Sequence, residues 1–259
     1  GSGSLASPSN STGEGTGGEI NLTTANGEIQ VSELNSSTFA GTGGSINLVS
    51  ENGTVDGTGG TFFTGGEVQQ GDVEISANSD IVIGRIDSRS SGEGSNVTVT
   101  SETGSITVNE GIDLGSNFGE GSRIQLQAAN DIVLSGAVFV DTTVEDAGSI
   151  TIISEQGDID LIEADLIAAA TEEFGLTGEP LGNGGNVILE ANGDIFLTQI
   201  STFSEKASAG NINLTAGGSI NGSVGDERVV EEASLDELDL DLDLSTFTLD
   251  ASATTGNGG

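Results

Sequence analysis

Residues 17–31 read GGEINLTTANGEIQV, and this stretch decides the fold class because close copies of it recur along the chain. Ile20 and Leu22 lie two residues apart, and the same apolar spacing returns at Ile29 and Val31. A spacing of two places side chains on one face of a strand. The Asn-Gly pair at 26–27 is typical of a tight turn, with a glycine that can adopt a positive φ. The stretch therefore predicts two short strands joined at a corner.

The two-strand unit occurs eight times between residues 17 and 224. Its first strands carry the apolar pairs Ile20/Leu22, Ile46/Leu48, Val73/Ile75, Val97/Val99, Ile124/Leu126, Ile150/Ile152, Val187/Leu189 and Ile212/Leu214. Its second strands begin at Ile29, Val55, Ile81, Ile106, Ile132, Ile159, Ile195 and Ile220. Copies start 24–27 residues apart, except for one longer spacing before Val187. A period in the twenties without a helical pattern predicts a solenoid.

A third strand in each repeat is less regular. Its candidates are Leu34, Ile86, Ile112, Val138 with Val140, and Ile200, and the side chains expected to fill the following corner are Phe39, Phe118 and Phe203. Three strands and three turns per coil predict an all-β chain folded as a parallel β-helix of about eight coils. The crossover rule for parallel strands favours the right-handed coil.

The repeat also divides the chain. Residues 1–16 are rich in Ser, Gly and Thr and read as a flexible lead-in, and residues 17–224 form the β-helix repeat domain. The long spacing predicts an insert loop at 168–183, which is either a tolerated surface loop or part of the face where solenoids often carry working loops. Residues 225–259 are acidic, and the alternation of Leu and Asp at 238–244 predicts a one-faced strand that either caps the open end or is an edge strand for a further segment to pair with.

Composition excludes several functions. The chain has 41 acidic residues against five basic ones, for a net charge of −36, and it has no Cys, His, Met, Trp or Tyr. This charge disfavours nucleic acid and anionic membrane surfaces as partners, and it favours cations. The absence of Cys excludes disulfides and zinc thiolates as sources of stability. No apolar run is long enough to span a bilayer.

Two columns of polar residues fall at the turn before the second strand. Asn26, Asn52 and Asn78 share one repeat position, which predicts an asparagine ladder. Asp131, Asp158 and Asp194 share another, where stacked carboxylates would repel one another unless a cation, an outward splay or protonation relieved them. Calcium is the natural cation for such a metal site. The alternative is that these aspartates are turn residues that point into solvent.

Catalysis is disfavoured. The five cations are Arg85, Arg89, Arg123, Lys206 and Arg228, and none stands in a recognisable constellation with acidic residues. The chain offers no His as a base near neutral pH and no hydroxyl with an evident activating partner. We therefore predict no catalytic or cofactor-binding residues. A carbohydrate-active β-helix and a calcium-responsive surface module are the alternatives.

Two of the repeats, at 185–195 and 210–220, follow a GNxxLxAxGxI-like pattern. This pattern resembles the filamentous haemagglutinin-type repeats of bacterial two-partner-secretion proteins, which also occur in large cyanobacterial surface proteins. The resemblance implies a secreted or cell-surface β-helix that serves as an adhesin or stalk and is exported through an outer-membrane transporter. It identifies neither the surface glycan or protein that such an adhesin would bind nor any catalytic residue.

Overall fold

The computed structural model describes residues 3–6, 15–171, 182–205, 207–222 and 248–250, and it describes only the backbone for the first and last of these ranges. Every regular element within them is a strand. In chain order the strands are β1 (Gly3–Ala6), β2 (Gly15–Thr16), β3 (Ile20–Thr24), β4 (Ile29–Asn35), β5 (Gly41–Thr42), β6 (Ile46–Ser50), β7 (Val55–Phe63), β8 (Val73–Ala77), β9 (Ile81–Asp87), β10 (Asn96–Ser101), β11 (Ile106–Val108), β12 (Ile112–Asp113), β13 (Arg123–Ala128), β14 (Ile132–Ser135), β15 (Val138–Phe139), β16 (Ser149–Ser154), β17 (Ile159–Ile167), β18 (Val187–Ala191), β19 (Ile195–Ser201), β20 (Ile212–Ala216), β21 (Ile220–Gly222) and β22 (Thr248–Asp250).

The first strands of the repeats form one parallel sheet of eight strands. Its order along the molecule is β3, β6, β8, β10, β13, β16, β18 and β20. Each pair is in register from lead residue to lead residue, as in Ile124 against Ile150 and Ile150 against Val187. No shift of register interrupts this sheet. The predicted parallel β-solenoid of about eight coils is therefore confirmed, and its right-handed sense stays a prediction.

The second and third strands of the repeats share a twelve-stranded sheet that bends between them. In coils four and five the bend divides the chain into separate strands, β11 and β12, then β14 and β15. Pairs across the bend shift register, for example between Gly57 and Thr61 on β7. Gly59, Gly111 and Gly136 have positive φ at this bend, where a side chain would be strained. This corner therefore varies from coil to coil, unlike the first sheet.

The core consists of three inward columns, one for each strand of the coil. The lead residues of the first and second strands are buried, except that Ile212 and Ile220 at the last described coil are only partly buried. The third column contains all five predicted strand positions and two more, in the order Leu34, Phe62, Ile86, Ile112, Val138, Leu166 and Ile200. All seven have no exposed surface.

Two of the three predicted aromatic corner residues depart from expectation, and the third, Phe203, is partly buried. Phe39 is 82% exposed and Phe118 is 53% exposed, so neither fills the corner before the next coil. Buried Ser36, Thr64 and Ser88 occupy the inward positions that precede this corner instead. Their hydroxyls reach neighbouring groups, as in the contact between Thr64 and Ser88.

Glycine is required at the predicted turns for two different reasons. Gly27 has a φ of 126°, as its Asn-Gly turn predicts. Gly53 and Gly193 are not among the described glycines with positive φ. At Gly53 a Cβ would collide with the backbone of Gly27 in the preceding coil, and at Gly193 it would collide with the carboxylate of Asp158. Close approach between coils, and not φ, therefore requires most of these glycines.

The structure describes part of each of the three segments predicted outside the regular repeat, which are the lead-in, the insert and the acidic tail. Gly3–Ala6 pairs in parallel with β4, so this part of the lead-in joins the solenoid where its open edge offers unpaired backbone. Residues 168–171 and 182–183 of the expected insert lie in the coil, where Ala170 bridges Thr142 and Ser204. Residues 172–181 lie outside the described residues. In the acidic tail, Thr248–Asp250 pairs with β19, and the alternating segment 238–244 lies outside the described residues.

We expect Ile124→Asp to disrupt the centre of the stack. Ile124 has no exposed surface, so the change would bury an unpaired carboxylate and cost at least about 3 kcal/mol. Because a solenoid couples mainly neighbouring coils, amide hydrogen exchange should quicken first in residues 97–152. The control is Gln125→Asp at the adjacent outward-facing position. Unchanged protection of residues 97–152 in Ile124→Asp would contradict the assignment of this column to the core.

Candidate functional site

The acid column lies where its repeat position predicts. Asp131, Asp158 and Asp194 occupy equivalent positions in three successive coils, because the strands that follow them pair as Ile132, Ile159 and Ile195. The long spacing before Val187 does not displace the later coil. The structure therefore brings these three predicted metal ligands into one stack.

Each of these carboxylates binds the backbone of the next coil. Asp131 Oδ1 accepts a hydrogen bond from the Asp158 N–H at 2.9 Å, and Asp158 Oδ1 accepts one from the Asp194 N–H at 2.7 Å. Asp194 and Asp80 make the same bond to Ser219 and Ser105, at 2.6 and 2.9 Å. A carboxylate that accepts from a backbone N–H makes a charge-assisted hydrogen bond. The column thus ties successive coils together at the corner.

A glycine accompanies each of these aspartates one coil later. Gly104, Gly157, Gly193 and Gly218 stand directly before the N–H that is bound, and a Cβ on any of them would collide with the carboxylate of the preceding coil. In the two coils where this position is Ser79 or Asn130, the preceding coil has Thr54 or Ser105 and not an aspartate. An aspartate in one coil therefore requires a glycine in the next.

The calcium hypothesis for this column stays a prediction. The hydrogen bonds occupy one oxygen of each carboxylate and leave Oδ2 for another partner. Within the part of the chain that the structure describes, no group of three or more Asp or Glu side chains is arranged to hold a metal ion.

The asparagine ladder takes a different form from the one predicted. Asn52 Nδ2 donates to the Ala25 carbonyl at 2.7 Å, and Asn130, which stands one position later in its repeat than the predicted ladder, donates from Nδ2 to the Thr103 carbonyl at 3.0 Å. Asn78 Nδ2 reaches the carboxylate of Glu102 at 3.4 Å. The amides therefore bond between coils as expected, but to backbone and carboxylate oxygens and not to one another.

A second polar cluster lies on the outward face of the third strands. The register of β9, β12 and β15 sets Asp87 beside Asp113, and Asp113 beside Phe139. Two residues further along, backbone hydrogen bonds align Arg89, Gly115 and Asp141 in the same three coils. Charged residues that are 24–28 positions apart in sequence thereby meet on three adjacent coils.

The centre of this cluster is a buried carboxylate between two guanidinium groups. The Asp113 side chain is 5% exposed, and its Oδ2 contacts both Nε and Nη2 of Arg89. Arg85 Nη2 lies 3.5 Å from the same oxygen and 3.3 Å from Asp87 Oδ2. The expectation that no cation stands in a constellation with acidic residues is therefore wrong. Sequence spacing missed the cluster because the bend before the third strand varies in length.

The electrostatics of the cluster follow from its burial. Burial raises the pKa of Asp141, and the neighbouring charge of Asp113 raises it further, while its own backbone N–H and Arg89 act in the opposite direction. The hydrogen bond to Asp113 raises the pKa of Arg89, so this guanidinium stays charged. The site thus combines a fixed ion pair with one carboxylate that favours its protonated form more than a solvent-exposed one would.

These side chains line an open groove of about 770 Å³, which we call the central groove. It crosses five coils, and its lining residues are Ser37, Thr38, Phe39, Gly65, Gly66, Glu67, Arg89, Ser90, Ser91, Asp113, Gly115, Ser116, Asn117, Phe139 and Asp141. Its dimensions fall in the range of small-molecule binding sites. Hydroxyl groups, charges and aromatic rings alternate along its length.

The groove rests on a buried polar network inside the coil. Gln70 is 2% exposed, and its Nε2 donates to the carbonyls of Leu114 and Gly115 at 3.2 and 3.1 Å. Its Oε1 accepts hydrogen bonds from the hydroxyls of Ser95 and Ser122 at 3.0 and 3.1 Å. A satisfied buried network of this kind fixes local geometry. It holds the backbone beneath Asp113 and Gly115 in place.

Comparisons of this chain with protein-family models, with curated proteins and with solved structures find no match. The described residues include no helix of the length and apolarity that crossing a bilayer requires.

Two substitutions of Asp158 separate its backbone role from calcium binding. Asp158→Asn keeps the Oδ1 acceptor and should leave the hydrogen-exchange rate of the Asp194 amide nearly unchanged. Asp158→Ala removes the acceptor and should speed that exchange while lowering stability by about 1–2 kcal/mol.

If calcium binds the column, millimolar Ca²⁺ should raise the melting temperature of the parent at fixed ionic strength and should do so less in both variants. An equal Ca²⁺ shift in all three proteins, or none, would contradict the calcium hypothesis.

Asp141→Asn should stabilise the protein at neutral pH. A carboxylate whose pKa is raised in the folded state binds more protons when folded, so stability is lost as pH rises from 3.8 through the folded pKa. The gain from Asp141→Asn should therefore be largest near pH 7 and should fade toward pH 4. Urea unfolding at both pH values measures it, with Glu51→Gln on an exposed turn as the control for net charge. A gain equal in both variants, or one that grows toward pH 4, would exclude this account of Asp141.

Proposed function

We propose that this chain is a segment of a secreted or cell-surface adhesin or stalk, which acts as a rigid acidic scaffold without catalysis. The observation that carries the proposal is the unbroken first sheet, in which eight parallel strands stay in register from β3 to β20. A rod of this kind suits a protein that must hold a binding face away from the surface that bears it.

The rigidity of the rod follows from its bonding. Each coil is tied to the next by backbone hydrogen bonds on its sheets. The acid column adds bonds at one corner of the later coils, and the buried network of Gln70 adds bonds at another corner near the middle of the rod. Eight strands at about 4.8 Å spacing make a rod on the order of 34 Å long. Because each coil contacts only its neighbours, added coils lengthen such a rod without a new core.

The charge of the rod supports an exposed role. A net charge of −36 keeps copies apart in solution and attracts cations or cationic surfaces. It opposes attachment through nucleic acid or anionic lipid. The resemblance of the repeats to the filamentous haemagglutinin group adds the proposal of export through a dedicated outer-membrane transporter.

A carbohydrate-active β-helix is the second candidate, because Asp113 and Asp141 line the same groove. Glycoside hydrolases use two carboxylates, of which the acid has a raised pKa, as Asp141 has. The second carboxylate must reach water or the sugar, however, and Asp113 is almost fully covered and paired with two guanidinium groups. The pairing of Asp113 with these two groups favours glycan binding over glycan hydrolysis as the role of the groove. Release of reducing ends from a panel of glycans would support the enzyme instead.

The location of the protein tests the main proposal. Antibodies raised against the chain should label intact source cells, and the protein should be found on the cells or in the medium. A cytosolic marker that is labelled only after permeabilisation is the control. Labelling of the chain that also requires permeabilisation would contradict a surface role.

A further inference from the structure

We propose that the central groove binds a linear, uncharged glycan chain that lies along the axis of the solenoid. This proposal rests on the proposed adhesin function, for which it names the ligand class and the binding face. It assigns the binding to the outward side of coils one to five, where the third strands end and the next corner begins.

The shape of the groove suits an extended polymer. Its lining residues come from five successive coils, so at about 4.8 Å per coil it runs on the order of 19 Å along the axis. Equivalent positions in successive coils repeat at this spacing, so the groove offers a polar or aromatic contact at regular intervals. A ligand with a regular repeat of its own can use several of these contacts at once.

The chemistry of the lining suits a sugar. Phe39 stands at one end of the groove with 82% of its surface exposed, and Phe139 lies toward the other end. An exposed ring has an apolar face that can pack on the C–H face of a pyranose. Between the two rings lie the Ser91 hydroxyl and the Asn117 amide, groups that exchange hydrogen bonds with sugar hydroxyls, whereas the Ser90 and Ser116 hydroxyls are bonded to backbone carbonyls. At the wall beside Phe39, Thr38 is 8% exposed, and its Oγ1 has no hydrogen-bond partner among the described residues.

The charges of the groove select an uncharged chain. Glu67 and Asp141 oppose a polyanion, as does the net charge of the whole protein. The acidic charge of the whole protein would hold a polycation anywhere along the rod, so a polycation is not a specific occupant of this groove. Because Asp113 already neutralises Arg89, this ion pair can orient hydroxyl groups without requiring a countercharge from the ligand.

The backbone of the groove argues against a peptide strand as the occupant. A peptide that binds by strand addition needs a free sheet edge with unpaired N–H and C=O groups. The groove lies over the ends of the third strands and the segments that follow them, where parallel backbone bridges pair Ser90 with Ser116, and Ser116 with Thr142, in successive coils. Recognition must therefore come from side chains.

The groove is also arranged before any ligand arrives. The ion pair holds Arg89 against Asp113, and Gln70 holds the Leu114 and Gly115 carbonyls from inside. Fixed side chains reduce the entropy that binding would otherwise cost. The glycine at 115 keeps the floor low, because a Cβ there would meet the Asp141 carboxylate at 2.8 Å.

The test uses the purified chain and immobilised hexasaccharides of β-1,4-glucan, β-1,4-mannan, chitin and α-1,4-glucan, with polygalacturonate and oligolysine as charged probes. We expect the chain to bind at least one neutral hexasaccharide and not polygalacturonate, whereas oligolysine, which the net charge attracts, should bind the parent and the groove variants equally. Affinity for oligomers of that sugar should rise with length until the oligomer spans the groove and should then level off.

Two variants place the binding in the groove. Phe39→Ala removes the exposed ring and should weaken binding about tenfold or more, whereas Phe118→Ala, which removes another exposed ring outside the groove, should not. Ser91→Trp should block the groove and abolish binding. Circular dichroism and the melting temperature establish that each variant is folded.

Three results would overturn the proposal: no neutral hexasaccharide binds, polygalacturonate binds in its place, or Phe39→Ala and Ser91→Trp bind the neutral hexasaccharide like the parent. Because this experiment does not depend on where the protein is located, its failure would leave the surface role intact. Binding by a chain that is absent from the cell surface would contradict the proposed function alone.

Discussion

The whole structure depends on hydrogen bonding between equivalent backbone positions of successive coils. In the first sheet, equivalent residues of neighbouring coils lie side by side, each bonds the backbone next to its partner, as the Ile46 N–H bonds the Asp72 carbonyl before Val73, and the register does not shift from β3 to β20. Any side chain that recurs at one repeat position is thereby stacked in a column about 4.8 Å from its copies. Inward apolar side chains stacked in this way form the core, and polar side chains at one repeat position lie next to the same side chain of the adjacent coil.

That constraint explains how the acid column persists in a protein with few cations. Asp131, Asp158 and Asp194 do not face one another as bare carboxylates, because each turns one oxygen toward the backbone N–H of the next coil. The N–H dipole offsets part of the repulsion, and a glycine in the next coil leaves space for the carboxylate. A column that composition suggests as a metal site thus serves as a connection between coils.

The central groove arises from the same stacking where it is least regular. The bend before the third strand differs from coil to coil, so unlike side chains meet on its outward face, and the charges of Arg85 and Arg89 meet Asp113. A buried carboxylate costs free energy unless it is paired, and the two guanidinium groups supply that pairing. Variation in a solenoid is thereby concentrated on one face, which is where a specific ligand site can differ between otherwise similar coils.

The sequence by itself determined the period, the strand alternation and the first two core columns. First-strand and second-strand leads are always eight or nine residues apart, so one register fits all coils, and the same regularity predicted the stack of Asp131, Asp158 and Asp194. The rule that an aspartate in one coil is matched by a glycine in the next coil is also visible in the sequence once the coils are aligned.

Only the tertiary structure decided which side chains meet on the outward side of the third strands. The spacing from second-strand lead to third-strand residue is five, six or seven, as Ile81 to Ile86, Ile106 to Ile112 and Val55 to Phe62 show. A change of one residue in a strand reverses which side chains face outward. The meeting of Arg89 with Asp113 therefore depended on how each bend closed, which is set by packing against the adjacent coil and not by the spacing of residues along the chain.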